Sequence, residues 1–186
     1  MKKLLSMIFV LTFLVSCDSI QVKKDDFQNL TTAHWDTNHS ISDWSGLMLY
    51  STEVKYYRAI NKYGVSTPTT INFEMIGTAM AGPELDTKAF ISADDQKFNL
   101  VLTDRELEKL VVVSDDDKGG KRSSKASAKA TKTHRGKLTL TSSIEKAIKN
   151  AKSISYRLYI GTKPITYVLK EGEVLKLKEF LNIKNL

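Results

Sequence analysis

One cysteine, three histidines and no apolar run long enough to cross a bilayer set the first limits on this chain of 186 residues. The single cysteine, Cys17, stands near the start, so everything after it lacks thiols. A disulfide framework, a thiol nucleophile and a cysteine-ligated metal are therefore excluded from the rest of the chain, and the fold must be held by its core alone. No Gly-x-Ser-x-Gly elbow, phosphate-binding glycine loop or His-Glu-x-x-His pair occurs. The histidines His34, His39 and His134 are too few and too scattered for a recognisable catalytic or zinc signature, so His34 and His39, with Asp36 near them, read as surface residues. His134 has no carboxylate nearby in sequence to orient it as a base. Asp115, Asp117 and Gly119 resemble the opening of a calcium loop, but Ala126 occupies the twelfth position, where that loop needs an acid. No metal or other cofactor is expected.

Charge is uneven. The chain carries +7, of which Lys2 and Lys3 supply two; residues 115–137 hold eight basic and three acidic groups, and the remainder after Cys17 balances. A high isoelectric point is thus a property of one segment rather than of a basic domain surface.

At the start, Lys2 and Lys3 precede an apolar stretch over 4–14, which is shorter than the roughly 20 residues a membrane-spanning helix needs. Leu14, Val15, Ser16 and Cys17 follow, with a small residue just before the cysteine. This segment resembles the signal peptide and lipobox of bacterial lipoproteins. That resemblance covers about the first tenth of the chain and implies cleavage before Cys17, a diacylglycerol on its thiol, and stable attachment outside the cytoplasm, because more than one acyl chain holds a protein at a membrane. Asp18, next in line, resembles a retention signal of some bacteria, but the rule differs between phyla and leaves the choice of membrane open.

Residues 17–33 read as lipidated cysteine and tether, and one strand-rich domain follows over 34–186. Leu47 to Tyr50 and Val54 to Tyr57 favour strands, with a turn over 61–64. Ile71, Phe73 and Met75 alternate with Asn72 and Glu74, the pattern of a half-buried strand. Residues 87–102 read as a hairpin about Asp94 and Asp95, and Thr103 with Glu106 predicts a capped helix to Leu110. Leu138 to Leu140 form a short strand, Ser142 with Glu145 caps a helix, 154–169 makes a second hairpin about 161–164, and 173–181 closes as a helix. An offset of 67 residues lays Phe98 to Leu110 on Ile165 to Leu177 with five identities, among them Leu102 on Leu169 and Glu106 on Glu173. Either an internal duplication of a strand–hairpin–helix unit or the generic likeness of capped hairpins accounts for this match. The expected class is α+β, strand-rich, with antiparallel sheets and short helices.

The basic segment has no large apolar side chain from Lys118 to Thr133 and reads as a mobile loop over 115–137. Lys118, Lys121, Arg122, Lys125, Lys129, Lys132, Arg135 and Lys137 form a candidate polyanion arm, whose partners are anionic lipid or polysaccharide; a solvated linker is the alternative. Nucleic acid is disfavoured, since the segment has no aromatic on which bases would stack. Trp35, Trp44, Tyr50, Tyr56, Tyr57 and Tyr63 crowd the beginning of the domain and suit the core better than a ligand. Glu53 and Arg58 among them form no pattern that points to a substrate. These features favour a membrane-attached, extracytoplasmic, non-catalytic binding module with an unknown protein partner. A polyanion-gripping adhesin is the second reading and a hydrolytic enzyme the third.

Overall fold

The computed structural model describes residues 19–39, 49–78, 81–114 and 127–184. Among the described residues ten strands and two helices run in the order β1 Gln21–Asp25, β2 Leu30–His39, β3 Leu49–Asn61, β4 Thr70–Thr78, β5 Lys88–Ala93, β6 Gln96–Val101, β7 Thr103–Ser114, β8 Ser127–Thr139, α1 Ser142–Asn150, β9 Ile154–Ile160, β10 Lys163–Val168 and α2 Glu171–Leu181. One six-stranded sheet has the order β1-β2-β3-β4-β8-β7 and one four-stranded sheet the order β10-β9-β5-β6, all neighbours antiparallel. The protein is a strand-rich α+β fold.

Period-two alternation gives each sheet one apolar face. In the larger sheet Ala33, Trp35, Val54, Tyr56, Ile71, Phe73, Met75 and Leu138 point inward, and in the smaller one Ala89, Ile91, Tyr156, Leu158 and Ile165 do. Ring contacts join the layers: Phe73 stands edge-on to Tyr156 at 5.9 Å, and Tyr56 reaches Phe180 of α2 at 6.1 Å. Within the larger sheet Trp35 stacks on Tyr56, its neighbour across strands, at 4.6 Å and 17°, a geometry that adds about 0.5–1.5 kcal/mol beyond burial. Tyr57 and Tyr63 are exposed, and Trp44 lies outside the described residues.

Arg58 ties the layers at one end. Its guanidinium donates to the Leu181 carbonyl at the end of α2 (2.6 Å) and to Ser66 Oγ (2.5 Å), and stands 3.7 Å from Glu145 of α1. Glu145 in turn accepts the Thr69 amide at 3.0 Å. A buried guanidinium with these partners is a clamp between β3, the β3–β4 turn and both helices.

Four expectations need correction. Residues 21–33, read as tether, form β1 and the start of β2, joined by a turn in which Asp25 accepts the amides of Phe27 and Gln28 and Asn29 takes φ 51°. The helix expected over 103–110 is instead β7. Thr103 Oγ1 donates to the Lys137 carbonyl rather than capping a helix, and Asp104 at φ 47° makes a bulge that turns the strand onto β8. The loop expected over 115–137 is β8 from Ser127 onward. N-capping of α1 also falls one residue earlier than expected, on Thr141, which accepts the Ile144 amide.

The offset of 67 holds in the hairpins and fails after them. Every pair from Lys88↔Val101 to Ala93↔Gln96 falls on a pair from Ser155↔Val168 to Ile160↔Lys163. Both turns open on a residue of positive φ, Asp94 at 50° and Gly161 at 58°. The closing bonds correspond too, Leu102 N to Thr87 O and Leu169 N to Ile154 O. Beyond them one copy continues as β7 and the other as α2, where Glu173 accepts the Lys170 amide at 2.7 Å and closes the helix start. β5 and β9 pair side by side, so the two hairpins build the four-stranded sheet.

Candidate functional site

The four basic residues of the expected arm that lie in the described structure are all in β8, and three of them are partnered. Arg135 meets Glu74 (3.0 Å), Glu108 (2.9 Å) and Glu106 (3.8 Å), Lys137 meets Asp104 (2.6 Å), and Lys132 donates to the Gly82 carbonyl (2.8 Å). Lys129 belongs to the end of β8 that pairs with β7 alone, while Lys118, Lys121, Arg122 and Lys125 lie outside the described residues, as does Cys17. Arg135 and Lys137 sit on the outer face of the larger sheet, where Lys55 is likewise paired with Glu53 at 2.8 Å and His34 with Asp36 at 2.9 Å. Lys55, Arg135 and Lys137 each have a carboxylate within ion-pair distance, so this face neutralises itself and leaves little field for an outside anion.

The histidines do not converge. His34 is on the outer face, whereas His39 and His134 point inward and are largely or wholly buried. His39 Nδ1 stands 3.7 Å from Glu173 Oε1, an oxygen that also accepts Thr37 Oγ1 at 3.4 Å. Burial lowers the His39 pKa, Glu173 opposes that shift and Lys170 adds to it. His134 is lowered by burial and by Lys132, against the Ala81 backbone and Glu84. Both rings therefore favour the neutral form. The buried phenols are locked as well: Tyr56 donates to Tyr156 at 3.2 Å, and Tyr167 pairs with Thr52 at 3.0 Å, with pKa values pushed up by burial. Among the described residues no three histidine, cysteine, aspartate or glutamate side chains gather as metal ligands. These groups tie elements together, His39 and Thr37 of β2 to α2 through Glu173, and the tyrosines across the two sheets.

The outer face of the four-stranded sheet is different. Its outward positions are Lys88, Phe90 and Ser92 on β5, Lys97, Asn99 and Val101 on β6, Ser155, Arg157 and Tyr159 on β9, and Pro164, Thr166 and Val168 on β10. Three are cations and none is a carboxylate. Lys88, Lys97 and Arg157 are exposed and have no ion-pair partner among the described residues. A shallow depression of about 260 Å³ lies on this face, lined by Phe90, Ser92, Lys97, Ser155, Arg157 and Tyr159. Arg157 donates through Nε to Thr166 Oγ1 at 2.9 Å, which fixes the guanidinium over the sheet. Phe90 and Tyr159 meet edge-to-face at 6.1 Å, and the Lys88 ammonium stands 5.2 Å from the first ring and 5.8 Å from the second. This cation–π contact holds a charge in place without neutralising it.

None of these face residues was singled out from sequence as functional. The signal was present in the hairpin alternation, because Lys88, Phe90 and Ser92, and again Ser155, Arg157 and Tyr159, occupy the outward steps of strands whose inward steps are apolar. The chain matches no protein-family model, no curated protein and no solved structure.

Proposed function

We propose that the chain is a membrane-anchored extracytoplasmic lipoprotein, lipidated at Cys17, that acts as a non-catalytic binding module and offers the outer face of its four-stranded sheet to an acidic ligand. The contrast between its two sheet faces carries this reading: one pairs its cations with carboxylates, while the other leaves Lys88, Lys97 and Arg157 unpaired around a depression. Leu14 to Cys17 supports the anchor. The adhesin reading moves from the arm to this face, since Arg135 and Lys137 are occupied by Glu74, Glu108 and Asp104. His39 and His134, pushed toward the neutral form by burial, and the protonated buried phenols favour binding over catalysis.

Anchor and face are tested separately. Cys17→Ser should abolish palmitate labelling and release the protein from the membrane fraction; retention of both ends the anchor reading. Replacing Lys88, Lys97 and Arg157 by glutamine should weaken retention on immobilised polyanions. The same loss of charge at exposed Lys23, Lys24 and Lys62 should not, and an equal effect of the two sets would remove the face from the proposal.

A further inference from the structure

We infer that the acidic ligand of this face is an anionic polysaccharide, which carries carboxylate or sulfate groups at intervals along a hydroxyl-rich chain; this rests on the binding reading above. Three observations point to it. First, the cations are dispersed. Standard strand geometry places the Lys88 and Arg157 backbones about 8 Å apart, and Lys97 about 12–14 Å from either. The places between and beside them hold Ser92, Ser155, Asn99 and Thr166, neutral groups able to hydrogen-bond sugar hydroxyls. Second, the aromatic pair is unsuited to nucleobases. Phe90 and Tyr159 stand at 64° to each other with the Lys88 ammonium over both, so they form a seat for a charge rather than a stacking platform. Third, the site is a depression within a rigid, hydrogen-bonded sheet, and Lys97 and Arg157 line it together with the Ser92 and Ser155 hydroxyls. A recess of this kind receives one acidic substituent while the polymer continues across the strands. The outward positions hold no carboxylate to repel it.

The test uses the full chain carrying Cys17→Ser, so that no acyl chain enters a bilayer, in detergent-free buffer, with four probes at equal concentrations of anionic groups: a polyuronate, a sulfated dextran, vesicles of phosphatidylglycerol, and a single-stranded oligonucleotide. Saturable binding to one or both polysaccharides is expected, at least tenfold tighter than to vesicles or oligonucleotide. The glutamine set at Lys88, Lys97 and Arg157 should weaken it tenfold or more, and the set at Lys23, Lys24 and Lys62 less than twofold. Arg157→Lys should recover only part of the loss, because lysine lacks the Nε–H given to Thr166. Circular dichroism and the urea midpoint of each variant separate lost binding from lost folding. Preference for vesicles or oligonucleotide that still depends on the three cations overturns the polysaccharide and leaves the face intact as a binding site. Binding of every probe unchanged by the three substitutions overturns the face itself, and no saturable polysaccharide binding at millimolar anionic groups overturns this inference.

Discussion

Gly136→Ala tests how closely the two sheets approach at the β6–β7 corner. Gly136 faces Phe73 across β4 and β8, on the inner side of the larger sheet. A methyl group there would stand 2.7 Å from Leu102 Cδ2, 2.9 Å from Cγ and 3.2 Å from Cδ1. Leu102 has little room to retreat: it is buried, and its amide is bonded to the Thr87 carbonyl at 2.6 Å where the chain passes from one sheet to the other. Overpacking a filled site costs about 1–3 kcal/mol, and replacing a strand glycine by alanine returns about 0.5–1 kcal/mol of backbone entropy. A net destabilisation of about 1–2 kcal/mol is expected, a fall in Tm of about 2–8 °C for a domain of this size. Urea unfolding followed by the fluorescence of buried Trp35 measures it. Leu102→Ala alone should cost about 2–5 kcal/mol. The double variant should cost at least 1 kcal/mol less than the sum, because the new methyl group fills space that the leucine vacated. Undiminished stability of Gly136→Ala, or strict additivity in the cycle, would refute the close approach.

Arg58→Ala removes the partner of Glu145 and the donor to Leu181, and should cost about 3–5 kcal/mol by the same urea assay; a cost under 1 kcal/mol would deny the clamp. Its companion Glu145→Gln should recover part of the loss, since no uncompensated carboxylate then remains and the Thr69 amide keeps an acceptor. Stability should also fall on mild acidification. His39 and His134 have folded-state pKa values below their ordinary 6.5, so the unfolded chain binds more protons, and their contribution is complete above about pH 6.5–7.5 and is lost as pH drops through that range toward their folded values. His134→Leu should flatten the urea midpoint between pH 7.5 and 5, and an unchanged slope would show that His134 is not the titrating group.

The sequence alone made the hairpins and the closing helix legible, because each is decided by neighbours in the chain. Alternation in Ile71, Phe73 and Met75 and turn chemistry at Asp94 act over a few residues, and so does the bond from Glu173 to the Lys170 amide. Thr103 and Glu106 show the limit of such reasoning. They have the spacing of a helix cap, yet β8 supplies a partner, Arg135, for Glu106 and the Lys137 carbonyl for Thr103, and distant pairing overrides the local preference. That partner strand was itself concealed. Its inward steps before Leu138 are Ala130, Lys132, His134 and Gly136, a run without a large apolar side chain, and Gly136 is small because Leu102 needs the space. Similarly, β2 turns Thr31, Ala33, Trp35 and Thr37 inward, an alternation too weakly apolar to stand out. The basic face is hidden in the sequence for another reason: a count of charge along the chain highlights runs such as 115–137, whereas Lys88, Lys97 and Arg157 are brought together only by the pairing of β5 with β6 and β9.

The early start of β1 would also limit how far a domain anchored at Cys17 could travel. Ile20 already packs on the core, and three peptide steps separate it from Cys17, a span of at most about 11 Å when fully extended. With a lipid on Cys17, the folded body would ride against the headgroups like a buoy on a short chain. It would turn within a narrow cone and meet only what comes to the membrane surface. Its ligand would then have to arrive by its own length, and a polymer does so more readily than a partner fixed on a facing cell. Inserting flexible residues between Asp18 and Ile20 would lengthen that reach without altering the fold.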